Sequence, residues 1–167
     1  MPANSAYTCG VLTLSDKGAQ GLREDTSGPM LIDLLENAGF TNTAYAILAD
    51  NFESIRQTLI EWSDIKKIDL IVTTGGTGVS PTDITPEATG EVLDREIPGI
   101  SEAMRLESLK LTSRAMLSRG KCGIRGESLI LNLPGSRKAA KENIEAVLGT
   151  LPHAIEKIKG GTADCGG

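Results

Sequence analysis

The sequence predicts an α/β fold: a three-layer sandwich with a mostly parallel central sheet and a small antiparallel excursion. Three observations carry that expectation. Short apolar runs stand at Tyr7–Ser15, Asn42–Ala49, Ile68–Thr74 and Leu129–Leu133, each of strand length. The longer stretches between them repeat their apolar residues three and four positions apart, as amphipathic helices do. Turn-forming residues follow every strand run directly. Strands alternating with helices imply right-handed crossovers and a parallel sheet covered on both faces.

The elements follow in order. After Tyr7–Ser15 comes a polar loop, DKGAQGLREDT, and a helix is expected to start near Ser27 with Pro29 in its first turn, where a missing amide hydrogen is harmless. Leu31, Leu34, Leu35 and Ala38 form its core face, and Gly39 is its expected stop. The strand at Asn42–Ala49 ends in Asp50-Asn51, either of which can cap a helix carrying Phe52, Ile55, Leu59 and Trp62 on one stripe. Ile68–Thr74 is the third strand. Thr85-Pro86-Glu87 reads as a helix start, with threonine as cap, proline in the first turn and an acid at the positive end of the dipole. A further helix is expected over Ser101–Leu111, with Ala103, Met104 and Leu111 among its apolar positions, and the antiparallel excursion over 113–128. Leu129–Leu133 ends in Pro134-Gly135. A terminal helix from about Lys138 to Ile158 should be kinked or split by Pro152. Residues 1–167 are read as one domain, with 160–167 as a loose tail.

Composition narrows the function. With 167 residues a core needs no covalent staples, and no apolar run is long enough to cross a bilayer. The start, MPANSAYT, lacks the basic and apolar regions of a secretion signal, so a cytoplasmic location and no membrane partner are expected. Cys9, Cys122 and Cys165 are odd in number and form no CxxC pair, which argues against a disulfide framework or a zinc site. A net charge of −5 and few aromatic residues argue against nucleic acid as a partner. An anionic ligand would need locally gathered cations; the candidates are Lys17, Arg23, Arg119, Lys121, Arg125, Arg137 and Lys138.

In open parallel sheets ligands bind beyond the carboxyl ends of the strands. Those ends carry Ser15-Asp16-Lys17-Gly18, Asp50-Asn51, Gly75-Gly76-Thr77-Gly78 with Asp83, and Pro134-Gly135-Ser136. Two carboxylates, Asp50 and Asp83, are thus expected on one rim, where they can handle a metal or a proton. The GGTG segment can present a concave set of amides to phosphate. It is not a P-loop, because Val79-Ser80-Pro81 follows Gly78 where Lys-Ser/Thr would be needed, and it lacks the third glycine of a dinucleotide-binding turn. His153, beside Pro152, is assigned to the surface, and Trp62 to the core.

Taken together, Ser15-Asp16, Asp50, TTGGTG with Asp83-Ile84-Thr85-Pro86-Glu87-Ala88-Thr89, Ser118-Arg119 and LILNLPGS resemble the molybdopterin adenylyltransferases, the MogA and MoaB group of molybdenum-cofactor biosynthesis. The resemblance spans about 7–158. It implies a molybdopterin-binding-domain-like fold, a trimer or hexamer, and AMP transfer from Mg-ATP to the terminal phosphate of molybdopterin with release of pyrophosphate. A molybdate-inserting enzyme is the implied next partner. By the same resemblance, Asp50 and Asp83 are the catalytic and Mg²⁺-positioning acids. Gly75, Gly76, Thr77, Gly78, Pro134, Gly135 and Ser136 face the nucleotide and its phosphates, while Ser15, Asp16, Glu87, Ser118 and Arg119 belong to substrate binding. The chain departs from many relatives in carrying Thr82 where arginine precedes the aspartate, and Arg137 where proline follows the last turn. The alternatives are a non-catalytic molybdopterin-binding or scaffolding module and a pyrophosphatase-like enzyme on the same fold.

Overall fold

The computed structural model describes residues 6–162 and 164. Six strands form one sheet in the order β2-β1-β3-β6-β5-β4. The first four of that order, β2 (Thr41–Leu48), β1 (Thr8–Leu14), β3 (Leu70–Thr74) and β6 (Ser128–Leu133), run parallel. β5 (Cys122–Arg125) and β4 (Arg95–Glu96) complete the sheet in antiparallel pairing; β5 lies within the excursion expected over 113–128, whereas β4 comes from a segment before it for which no strand is expected. β3 and β6 are buried throughout, and β1 beyond its first residue, as strands with both faces covered must be. β2, at the edge, is only half covered.

One face packs against α2 (Ser27–Asn37), α5 (Pro98–Leu109), α6 (Arg137–Val147) and α7 (Leu151–Ile158), through a cluster that includes Leu31, Leu35, Val72, Leu131 and Ile144. The other face packs against α3 (Phe52–Ile60) and α4 (Thr85–Val92), around Leu12, Ile55, Leu59, Trp62 and Ile71. A one-turn helix, α1 (Asp16–Ala19), lies in the predicted polar loop.

Several local expectations change. The fifth helix begins at Pro98, not Ser101, because proline suits a first turn; it ends at Leu109, so Leu111 is exposed and not a core position. Thr85 is not a cap. It is the first helical residue after Ile84, and its hydroxyl donates instead to Gly75 O, 3.0 Å away. Pro152 splits the terminal helix as expected, with a 3-10 turn over Leu148–Thr150 between α6 and α7. Trp62 is buried and His153 exposed. Cys9 and Cys122 are free and buried, which pushes both thiols up to about 12; Cys165 lies outside the described residues.

Candidate active site at the strand ends

The carboxyl ends of β1, β2, β3 and β6 meet on one rim, because parallel pairing aligns them. Short polar contacts then draw the following loops together. Asp16 Oδ1 accepts the Asp50 amide at 2.9 Å, and Ser15 Oγ caps α1 by accepting the Gly18 amide at 3.0 Å. Asn51, not Asp50, caps α3, accepting the Ser54 amide at 2.9 Å. Asp50 is therefore left without a capping role. Its Oδ1 is buried and has no hydrogen-bond partner, a costly state for a carboxylate oxygen and one that a cation would relieve. Burial, then the charge of Asp16 and that of Asp83, hold Asp50 above the usual carboxylate range.

The GGTG loop adopts conformations open to glycine. Gly75 has φ +105° and Gly76 φ +67°. A Cβ at Gly75 would stand 2.3 Å from Leu14 O, and one at Gly76 would stand 2.3 Å from Thr85 Oγ1 and 3.1 Å from Asp50 Oδ1. The Gly75 amide extends the sheet by donating to Leu133 O at 3.1 Å, so it does not face a ligand. The amides of Gly76, Thr77 and Gly78 donate to no backbone carbonyl among the described residues. Asp83 closes the loop: its amide donates to Ser80 O at 2.9 Å, and its Oδ2 accepts the Ser80 amide at 3.0 Å. Across the rim, Pro134 O accepts Thr74 Oγ1 at 2.7 Å, Gly135 O accepts Ser27 Oγ at 3.0 Å, and Ser136 caps α6.

Two cavities flank this centre. One, about 670 Å³, is polar and includes Ser15, Asp16, Asp50, Lys17, Arg23 and Arg137 in its lining. The other, about 450 Å³, includes Thr77, Gly78, Arg105, Arg114, Leu117 and Ser118. Both are bounded by Gly76, Asp83, Gly135 and Ser136, so a single wall of backbone, one carboxylate and one hydroxyl joins them.

The expected cations divide. Lys17, Arg23 and Arg137 line the polar cavity, whereas Arg119, Lys121 and Arg125 line neither of the two. Lys121 pairs with Glu96 at 2.6 Å, and Arg125 makes a two-pronged pair with Asp64 at 2.6 and 3.0 Å. Lys138 is exposed, and its ammonium stands 3.9 Å from the Glu142 carboxylate. Arg119 is bound to Glu87 and to the carbonyls of Gly78 and Asp83. Glu87, held below its ordinary range by that arginine, also lies outside both cavities.

Sequence reasoning missed Arg105 and Arg114, which nothing in their local pattern marks. It also missed Asp25, which had a readable signal in its place just before a helix start. Asp25 accepts the amides of Ser27 and Gly28 at 3.2 and 3.0 Å, and the hydroxyls of Thr13 and Tyr45 at 2.7 and 2.5 Å. Burial alone would raise its pKa, but these four donors together lower it.

An open α/β sheet with uncommitted amides, the carboxylates of Asp50 and Asp83 and two cavities at its strand ends is an arrangement suited to phosphate-bearing ligands. Comparison with known proteins is consistent with that class and specifies it. Residues 10–153 match the family model described as a probable molybdopterin binding domain, and the chain belongs to that family. It is 43% identical over 153 residues to the molybdopterin adenylyltransferase of Helicobacter pylori, covering 90% of this chain and 87% of that protein. It is 48% identical over 155 residues to the molybdenum cofactor synthesis protein cinnamon of Drosophila melanogaster, covering 92% of this chain. It spans only 26% of the length of cinnamon, and 22% of the gephyrin of Dictyostelium discoideum. Among solved structures, the molybdopterin biosynthesis enzyme MoaB from Thermus thermophilus superposes with a TM-score of 0.88 at 49% identity, covering 92% of this chain and 97% of that one.

Proposed function

We propose that this chain is a molybdopterin adenylyltransferase that moves AMP from Mg-ATP to the terminal phosphate of molybdopterin. The observation that carries this reading is the wall shared by two cavities. A transfer between two bulky phosphate esters needs two pockets meeting at one point where phosphates are gathered. In the reaction an oxygen of the pterin phosphate forms a bond to the α-phosphorus of ATP. The bond from that phosphorus to the oxygen bridging to the β-phosphate breaks, and pyrophosphate leaves with the electron pair. A phosphate monoester is ionised at neutral pH, so no strong base is required, in keeping with a site that lacks histidine.

The residues fit these tasks. The amides of Gly76, Thr77 and Gly78 would hold phosphate oxygens, and Arg23 and Arg137 would offset triphosphate charge. Asp50 and Asp83 would hold Mg²⁺, which when bound neutralises the departing pyrophosphate. Among the described residues no three acid, cysteine or histidine side chains converge on one metal position. That suits Mg²⁺, which is usually held by one or two carboxylates together with substrate phosphates. Asp16 fixes the Asp50 backbone from the next loop. In the same reading the protein works in the cytoplasm as a homotrimer or hexamer and hands its product to a molybdate-inserting enzyme. Support for self-association comes from an exposed apolar strip of Leu106, Leu109, Leu111, Met116 and Leu117 on and after α5.

The test incubates purified protein with Mg-ATP and molybdopterin and follows product mass and pyrophosphate. Adenylylated pterin with stoichiometric pyrophosphate is expected, and Asp83→Asn should slow turnover about a hundredfold or more while ATP binding falls less. Pyrophosphate release without pterin would instead mark a pyrophosphatase-like enzyme. Pterin binding without turnover would mark a binding module.

A further inference from the structure

We infer that Arg119 is a positioning residue that sets the place of Asp83, and not a ligand for substrate phosphate. The inference rests on the adenylyl-transfer reading for its kinetic consequence, but its geometry stands apart from that reading. Every nitrogen of the guanidinium is engaged by protein. Nε donates to Gly78 O at 2.7 Å, one terminal nitrogen donates to Asp83 O at 2.7 Å, and the other pairs with the Glu87 carboxylate. The Arg119 amide adds a bond to Thr77 O at 2.9 Å. Gly78 and Asp83 are the two ends of the GVSPTD loop, so one planar cation clasps the loop at its neck from outside the two cavities that meet at Asp83, while lining a separate one of about 230 Å³.

Nothing else among the described residues binds both ends at once; inside the loop Asp83 makes two bonds to Ser80, its amide donating to Ser80 O and its Oδ2 accepting the Ser80 amide. The loop body is exposed at Val79, Ser80, Pro81 and Thr82 and has little packing of its own to hold it. The carboxylate it carries bounds both cavities. Glu87, in the first turn of α4, orients the guanidinium; the rigid fork of arginine then reaches two carbonyls and a carboxylate, which a lysine ammonium cannot span. Loosening the neck would leave the phosphate-facing amides of Gly76 and Thr77 in place and displace Asp83. A displacement of about 1 Å in a reacting group can slow a reaction about a hundredfold.

The test combines steady-state kinetics, ATP titration calorimetry and amide hydrogen exchange on Arg119→Ala, Arg119→Lys, Glu87→Gln and Asp83→Asn. Arg119→Ala is expected to lower kcat about a hundredfold with the Kd for ATP changed less than about threefold. Arg119→Lys should recover little, and Glu87→Gln should fall between. Adding Arg119→Ala to Asp83→Asn should cost less than about threefold more, since both act through one carboxylate. A Kd for ATP weakened about tenfold or more with kcat retained, or full multiplication of the two effects, would overturn the inference. Exchange at the amides of Ser80 and Asp83 should accelerate about tenfold or more in Arg119→Ala and Arg119→Lys without matching change in β3 or β6. Unchanged exchange overturns the clasp even if the parent protein forms no adenylylated pterin, which would sink only the catalytic reading.

Discussion

At the scale of single residues, Asp50 is the informative side chain. Its neighbour Asn51 does the capping, so the acid is released from structural duty and sits with one oxygen buried and unpartnered. Because burial and the charges of Asp16 and Asp83 raise its pKa, the folded chain holds the Asp50 proton more tightly than the unfolded chain does. Ionised Asp50 therefore lowers stability. The loss is absent below the ordinary carboxylate value of about 3.9 and is complete once pH has risen through the raised folded value. In a chelating buffer, Asp50→Asn should raise Tm at pH 7 by about 2 °C or more, with the gain vanishing near pH 4. The same substitution should slow adenylyl transfer about a hundredfold. A Tm at pH 7 below that of the parent would show that the ionised acid is stabilising, and an equal Tm would show that its burial costs nothing; either overturns this prediction.

At the scale of elements, the turn after β3 shows why glycine was readable and its partner was not. Positive φ at Gly75 and Gly76 is a property of the backbone, and sequence declares it through glycine. The threonine ten residues on declares only a hydroxyl near a helix start, which suggests a cap. Its real acceptor, Gly75 O, is brought to it by the fold of the loop. Gly76→Ala meets both constraints, a left-handed φ and contacts with Thr85 Oγ1 and Asp50 Oδ1. It should destabilise the chain by about 1–3 kcal/mol in urea unfolding and abolish transfer. Wild-type stability with full activity would mean that the amides are not held in this conformation. The cations divide for a similar reason. Arg119, Lys121 and Arg125 alternate with glycine in a pattern that suggests a polyanion, yet each is answered by an acid from a distant segment: Glu87, Glu96 and Asp64.

At the scale of the whole molecule, the exposed apolar residues on and after α5 are a feature that a single copy leaves uncovered. Leu106, Leu111 and Met116 are each more than 60% exposed, at 62%, 64% and 70%. If this face is covered by another copy, Leu106→Glu with Met116→Glu should shift the protein to a smaller species by light scattering, with helical content preserved. An unchanged mass for the double variant would place the contact elsewhere or remove it.

The sequence by itself determined the parallel α/β architecture, the four strand ends and the presence there of Asp50, Asp83, the GGTG turn and the PGS turn. It could do so because periodicity and turn chemistry are local, and because parallel pairing allows one edge only for loops that follow strands. Tertiary structure alone decided which of those residues line the two cavities. It brought Arg105 and Arg114 to a cavity wall, turned Arg119 and Glu87 away into a clasp, and left Asp50 Oδ1 without a partner. Those outcomes depend on which distant group reaches a polar atom first, and spacing along the chain carries no record of that competition.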